Sequence, residues 1–334
     1  MEHKCYTIAE VGQAHEGSLG LAHSYIDAIS KTGADAVKFQ MHIAESESSV
    51  FEKFRVKFSY EDNSRFDYWK RMEFTIEQWD GIKRHCEEVG LDFVCSPFSM
   101  MAVDILEKMN LKAYKIGSGE AHNKLLLERV AKIGKPIFLS NGLSNDHDLS
   151  NAISWITPFN SNLSLFQCTT KYPTYPEDWG LDKINLLKKK FGLPVGYSDH
   201  SGDIFSCLAA CTLGAEYLEF HVVFDKQMFG PDSTSSLTFN QTNDLIKGVN
   251  AIVKSKNSPV VPNILETELK NLFGKSLCVS REMNKGEKIS INDLETKKPF
   301  GRGIDTIQFD KIIGKSLNKN LKKWSFINFE DLNI

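Results

Sequence analysis

Eight short apolar runs in this chain each end on residues able to do chemistry, and stretches with helical spacing lie between them. TIAE ends on Glu10, AVKFQ carries Lys38 and ends on Gln40, DFVCSPF carries Ser96, and AYKIGSGE carries Lys115, Ser118 and Glu120. PIFLSNG follows with Ser140 and Asn141, SLFQCTT with Cys168, Thr169 and Thr170, PVGYSDH with Ser198, Asp199 and His200, and EYLEFH with Glu219 and His221. Strand, polar tip and helix in eightfold repetition is the pattern of an α/β protein closed into a (β/α)8 TIM barrel. In that fold the C-terminal strand ends build the active-site face, so the pattern predicts an enzyme.

The segments between the runs read as amphipathic helices. Leu19, Ala22, Tyr25, Ile26 and Ile29 share one helical face ahead of Gly33. Thr75 with Gln78 is a capping-box signature, and Gly90 closes that helix. Residues 41–72 break the rhythm with a polar and aromatic stretch that includes Phe51, Phe54, Phe58, Tyr60, Phe66, Tyr68 and Trp69. It is too long for a routine barrel loop and reads either as a lid or binding loop or as an insertion on the barrel flank. After the eighth repeat, KSKNSPVVPNIL reads as an extended linker, and short strands and turns follow, with Asn284–Glu287 a turn signal. The expected division is a barrel over 1–255, a linker over 256–268 and a small β-rich module over 269–334.

Composition narrows the function classes. A chain of 334 residues fits one barrel of about 250 residues plus a small module. The net charge of −3 gives no bulk electrostatic case for nucleic acid, so an anionic ligand needs a local basic site, which Lys38 and Lys115 would supply. The seven cysteines are scattered without a CxxC and read as reduced thiols of a cytoplasmic protein. The opening MEHKCYTIAEVG passes directly into a strand with no signal-peptide core, and no apolar run is long enough to span a membrane.

Two constellations carry chemistry. His200 and His221, at the ends of neighbouring strands and flanked by Asp199, Glu219 and Asp232, form a candidate metal pair, the alternative being two structural histidines. Lys38 and Lys115 sit inside apolar strands, where an uncompensated ammonium is expensive. They read as a phosphate or carboxylate site, as salt bridges to Glu10 and Glu120, or as Schiff-base lysines. GSGE and SNG place glycine and hydroxyls beside strand ends, where backbone N–H groups can hold phosphate oxygens; there is no Walker motif and no GxGxxG.

Together these motifs resemble the N-acetylneuraminate (sialic acid) synthase family over almost the whole chain. The residues that carry the resemblance are AEVGQAHEG, ADAVKFQ at Ala34–Gln40, SPF at Ser96–Phe98, KIGSGE, QCTTKYP, GYSDH at Gly196–His200, EFH at Glu219–His221 and GPD at Gly230–Asp232. The C-terminal part resembles the antifreeze-like, or SAF, module that follows the barrel in that family. Where the family has asparagines around its first histidine this chain has Ala14 and Glu16, and the lysine of EKH is Phe220. The histidine after GPD is Ser233, and the arginine before the late proline is Lys298, with Arg302 beyond it. These departures are expected to gather around the sugar.

The resemblance implies condensation of phosphoenolpyruvate with an N-acetylated amino sugar in its aldehyde form. It implies Glu10, His200 and His221 as catalytic residues, with a divalent metal on His200 and His221, manganese first and magnesium or cobalt as substitutes. Phosphoenolpyruvate falls to Lys38, Ser96, Lys115, Ser118, Thr170 and Ser198. The sugar falls to Gln40, Glu120, Tyr172 and Asp232, and to Arg302, or secondarily Lys298, reaching across a domain-swapped homodimer. No nucleic acid and no membrane partner is implied. A synthase of legionaminic or pseudaminic acid type, a Schiff-base aldolase and a non-catalytic sugar-binding barrel are the competing readings.

Overall fold

The computed structural model describes residues 4–54, 60–258 and 264–333. Eight strands run parallel in chain order: β1 (Tyr6–Gly12), β2 (Ala36–Met41), β3 (Asp92–Pro97), β4 (Ala113–Ile116), β5 (Ile137–Ser140), β6 (Leu163–Cys168), β7 (Val195–Asp199) and β8 (Tyr217–Val223). Each pairs with its successor and β8 pairs with β1, which closes the barrel. The closure sets Glu10 opposite both Lys38 and His221, Gln40 opposite Ser96, and Ser198 opposite Glu219.

The side-chain period of two turns each strand into a two-storey column. Ile8, Ala36, Val94, Ala113, Phe138 and Phe166 form a buried apolar layer inside the barrel, with Tyr6 and Tyr217 packed against it. Two residues further along most of these strands stand Glu10, Lys38, Ser96, Lys115, Ser140, Cys168 and Glu219, so the same alternation that fills the floor lifts polar groups above it. Gly196 has to be glycine: a Cβ there would lie 2.8 Å from Tyr217 Cβ and 2.9 Å from the Phe166 ring. The alternate residues of each strand face outward, where Ala9, Val37, Phe39, Cys95, Leu139, Tyr197 and Phe220 pack under the helices. Phe220 is fully buried in that outer layer, so this departure from the resembled family lies away from the barrel mouth, against expectation.

The connecting helices follow their sequence signals. Leu19–Ser30 buries Ala22, Tyr25, Ile26 and Ile29, and Ile76–Glu88 starts on a complete Thr75/Gln78 capping box. The segment after β2 holds short helices at Ala44–Glu47 and Arg65–Met72, with Tyr68, Trp69 and Met72 buried; Phe58 lies outside the described residues. Among the described residues no helix is long and apolar enough to cross a membrane.

The chain separates into compact units at Met1–Ser258 and Pro259–Ile334. The expected extended linker is corrected on both sides: the last barrel helix, Phe239–Asn257, runs through its start, and Ile264–Phe273 is helical. The helical spacing of ILETELKNLF outweighs the local bias of the prolines before it. In the second unit Ser276–Val279 pairs antiparallel with Leu294–Lys297, and Ser316–Leu317 with Leu332–Asn333. Leu277, Val279, Met283, Ile289, Ile304, Leu317, Ile327 and their neighbours form its own core. A capping box at Ser290 and Asp293 recurs at Asn328 and Asp331, each just before a strand.

Candidate active site

The C-terminal strand ends open into a cavity of about 410 Å³. Four charges line its floor. Lys38 Nζ stands 2.8 Å from Glu10 Oε2 and 3.8 Å from Glu219 Oε1, while Lys115 Nζ meets Glu219 Oε2 at 2.5 Å. All four side chains are at most 6 % exposed. The expected Lys115–Glu120 pair is replaced by Lys115–Glu219, since β4 and β8 face each other across the barrel; Glu120 instead accepts from Asn123 Nδ2 at 2.8 Å.

The charge arithmetic is uneven. Burial opposes ionisation of Glu219, yet Lys115 and Lys38 together reverse this and bring its pKa down to about 2. Burial weakens Lys38 as an acid–base cation, but Glu10 and Glu219 outweigh burial and raise its pKa. Lys115 has one carboxylate and a like-charged neighbour, and burial leaves it below the usual lysine range. Glu10, fully buried, is raised by desolvation, with Lys38 opposing. An incoming anion therefore finds Lys115 the less neutralised cation. Ser96 Oγ accepts from Lys38 Nζ at 3.3 Å, and Ser198 Oγ donates to Glu219 Oε1 at 3.2 Å.

A hydroxyl cradle borders this floor. Gly142 N donates to Ser118 Oγ at 3.0 Å, and a Cβ on Gly142 would collide with Thr170 Oγ1 and Ser118 Oγ. Glycine at this place lets the Ser118 and Thr170 hydroxyls, both of which line the cavity, close up against the backbone. The His200 and His221 rings lie 5.3 Å apart between centroids, with Tyr172 4.1 Å from the first and 6.2 Å from the second.

His200 Nδ1 donates to the Thr169 carbonyl at 2.9 Å, which fixes the ring. Burial resists its protonation, but Cys168 and that carbonyl outweigh burial and lift its pKa to about 9. Burial holds His221 neutral, its pKa down at about 4, with Asp232 Oδ2 4.0 Å from Nδ1. Gly12, at φ +54°, preserves open space beside it: a Cβ there would stand 3.3 Å from Glu10 Oε1 and 3.6 Å from His221 Cε1. Among the described residues no cluster of three His, Cys, Asp or Glu converges on one point. Two imidazoles 5.3 Å apart between centroids are a donor set suited to a divalent ion, which would need its other ligands from water or substrate. Asp199 is not among them, because its carboxylate is turned to Ser201 and Ser206.

Of the residues singled out in the sequence, the cavity brings together Glu10, Lys38, Gln40, Ser96, Lys115, Ser118, Glu120, Thr170, Tyr172, Ser198, His200, His221 and Asp232. Arg302 and Lys298 lie exposed in the second unit. The side wall is built by Gln13, His42, Glu47, Arg65, Trp69 and Phe98; the sequence reading named Trp69 and Phe98, and the 41–72 stretch as a lid or binding loop or a flank insertion, but did not single out Gln13, His42, Glu47 or Arg65. His42 continues the inward period of Lys38 and Gln40 beyond the end of β2, which is the signal that would have found it. Ala14 packs against the outer core, Glu16 pairs with Arg71, and Ser233 is buried with its hydroxyl toward the Phe229 carbonyl. The departures from the resembled family are thus spread over several environments.

The NeuB family model matches residues 25–260. The chain is 33% identical to the N,N'-diacetyllegionaminic acid synthase of Campylobacter jejuni, over 96% of this chain and 98% of that protein. It is 31% identical to the human N-acetylneuraminate-9-phosphate synthase, over 95% and 89%. Among solved structures it resembles the N-acetylneuraminic acid synthetase of Leptospira borgpetersenii, with a TM-score of 0.71 and 28% identity, covering 80% of this chain and 90% of that one.

Proposed function

The chain belongs to the NeuB family, and we propose that it is a nonulosonic acid synthase that condenses phosphoenolpyruvate with N-acetylmannosamine or a related N-acetylated hexose and releases phosphate. One observation carries this reading: two buried lysines, a hydroxyl cradle, a buried glutamate and a neutral-favouring histidine share one cavity. The lysine side matches an enol phosphate carrying a carboxylate, and the histidine side matches an aldehyde. C3 of phosphoenolpyruvate attacks the aldehyde carbon, water adds at C2, and phosphate leaves with cleavage of the C–O bond.

Lys115 and Lys38 hold the anionic groups, with Ser118 and Thr170 on the phosphate side, Ser96 bonded to Lys38 and Ser198 bonded to Glu219. Glu10, whose pKa burial raises, orients water and accepts its proton. Glu120, Tyr172 and Asp232 face the sugar at the mouth. His200 and His221 would hold the divalent metal, manganese foremost with magnesium or cobalt in its place, and when bound such an ion polarises the aldehyde as a Lewis acid. The second unit is proposed to be a SAF module that serves the barrel of a partner in a swapped homodimer, with Arg302 reaching the sugar. We place the reaction in the cytoplasm.

The test is phosphate release from phosphoenolpyruvate with N-acetylmannosamine, its 6-phosphate and 2,4-diacetamido hexoses, with manganese and in chelator. Manganese-dependent release with one acceptor is expected, and His221→Ala is expected to lose both turnover and manganese binding. Pyruvate-dependent turnover in chelator, with borohydride trapping on Lys38 or Lys115, would instead identify a Schiff-base aldolase.

A further inference from the structure

Glu10 is held from two sides, and only one of them is the lysine. Its Oε1 accepts from Gln40 Nε2 at 2.6 Å. Gln40 Oε1 accepts from Gln13 Nε2 at 2.5 Å, and that same nitrogen lies 3.1 Å from His42 Nε2. His42 Nδ1 is 2.7 Å from Glu47 Oε1, and Glu47 Oε2 accepts from the Ile43 N–H at 3.2 Å. The His42 ring is clamped between Trp69, 3.8 Å away at 17°, and Phe98, 4.5 Å away at 16°. Gln13 and His42 are 7% and 5% exposed, so water is a poor substitute for these partners.

The donors and acceptors admit one consistent direction with a neutral ring. An ionised Glu47 accepts, so His42 carries its hydrogen on Nδ1 and presents a lone pair at Nε2. That lone pair takes one hydrogen of the Gln13 amide, and the other goes to Gln40 Oε1. The 3.2 Å separation between His42 Nε2 and Gln40 Oε1 is then a contact of two acceptors bridged by Gln13, not a hydrogen bond. With its oxygen so held, Gln40 must turn its NH2 toward Glu10. The reversed amide would set a carbonyl oxygen against a carboxylate and NH2 against NH2.

We propose that Glu47, His42 and Gln13 are positioning residues for the reaction, fixing the Gln40 amide and through it the orientation of the Glu10 carboxylate. The proposal rests on the reading above that Glu10 acts on water. Among the described residues no hydrogen bond or ion pair joins His42 or Glu47 to Glu10 or the lysines, so within the protein their link to Glu10 runs through Gln13 and Gln40.

The test uses the full chain and His42→Phe, which keeps a flat ring between Trp69 and Phe98 and deletes both nitrogens. Turnover is expected to fall about 10–100-fold, the usual effect of removing an outer-shell partner, with the KM for phosphoenolpyruvate within about twofold and the melting temperature retained. Glu47→Gln, still able to accept from Nδ1–H, is expected to keep more turnover than Glu47→Ala. A second readout does not depend on turnover. In protein labelled with 15N-glutamine, the Gln40 amide signals, identified by their loss in Gln40→Leu, are expected to move on His42→Phe. Unmoved Gln40 signals overturn the network, and moved signals with unchanged turnover overturn its positioning role. If the wild-type protein releases no phosphate with any acceptor, the reaction is misread and the Gln40 signals alone decide the network.

Discussion

Two carboxylates in this barrel meet cations and shift in opposite directions. Glu219, on the floor, sits between Lys115 and Lys38, and its pKa falls to about 2. Glu16, in the loop after β1, meets Arg71 at 2.9 Å, yet burial outweighs the arginine and raises its pKa to about 7. The difference lies in how the positive charge is shared. On the floor Glu219 faces both lysines, whereas Glu10 meets Lys38 alone and is raised by burial. At the edge the Arg71 guanidinium reaches both Glu16 and Asp62, at 2.9 Å each, with Glu61 3.7 Å away. An ion pair alone does not set a carboxylate's pKa; it acts against the burial of the same group and beside the other carboxylates that share the cation.

The largest expected break is on the floor. Lys115→Met leaves Glu219 with Lys38 alone and is expected to lower stability by about 3–5 kcal/mol and to abolish measurable turnover. Adding Glu219→Leu is expected to recover most of the stability and none of the turnover, read by denaturant midpoint beside phosphate release. A double variant as unstable as the single one would show that charge pairing is not what the floor depends on.

At the edge the effect is smaller. Arg71→Ala removes a guanidinium that is 24% exposed, and a loss of about 1–2 kcal/mol is expected. Arg71 ties the β1 loop to the helix Arg65–Met72, whose Arg65, Tyr68 and Trp69 line the cavity. The KM for the sugar is therefore expected to rise several-fold and that for phosphoenolpyruvate to stay put. Equal rises in both would place the helix over the whole cavity.

The smallest effect is in the pH dependence, where the signs differ. Glu219, with a depressed folded pKa, contributes stability that is present above the unfolded value near 4.5 and is lost as pH falls toward 2. Glu16, with a raised one, contributes stability that is present below about 4.5 and is lost as pH rises through 7. Glu16→Gln is expected to flatten the second slope, which for one proton never exceeds about 1.4 kcal/mol per pH unit, and to leave the acid limb intact. An unaltered slope between pH 5 and 7 would assign it to another group.

Most of the barrel was legible because strand ends carry two signals at once, an apolar run and a polar tip. Partnership was less legible. Lys115 meets Glu219 across 104 positions, and no local spacing distinguishes that carboxylate from Glu120, five residues away. Asp199, beside His200, read as a flanking ligand, yet the strand period sends neighbours to opposite faces. Gln13 and His42 escaped because they stand one residue past the ends of β1 and β2, where periodicity is no longer sought, and Glu47 because it ends a helix of only four residues. The capping boxes at Ser290 and Asn328 share an aspartate three positions on and a leucine after it, a short internal repeat that was overlooked among turns.

The aromatic layer beneath the cavity has a kinetic consequence. Phe138, Phe166 and Tyr217 pack ring to ring, with centroids 4.8–5.7 Å apart, under the lysines. Among the described residues this layer closes the floor, so a molecule seated there faces the mouth. If phosphoenolpyruvate takes the floor, as proposed above, it goes in first and is held there by the second substrate, like the lower of two objects in a quiver. A pulse of labelled phosphoenolpyruvate, chased with unlabelled compound and excess sugar, is expected to be converted rather than washed out. Complete washout at saturating sugar would mean that the deep site exchanges its ligand by another path.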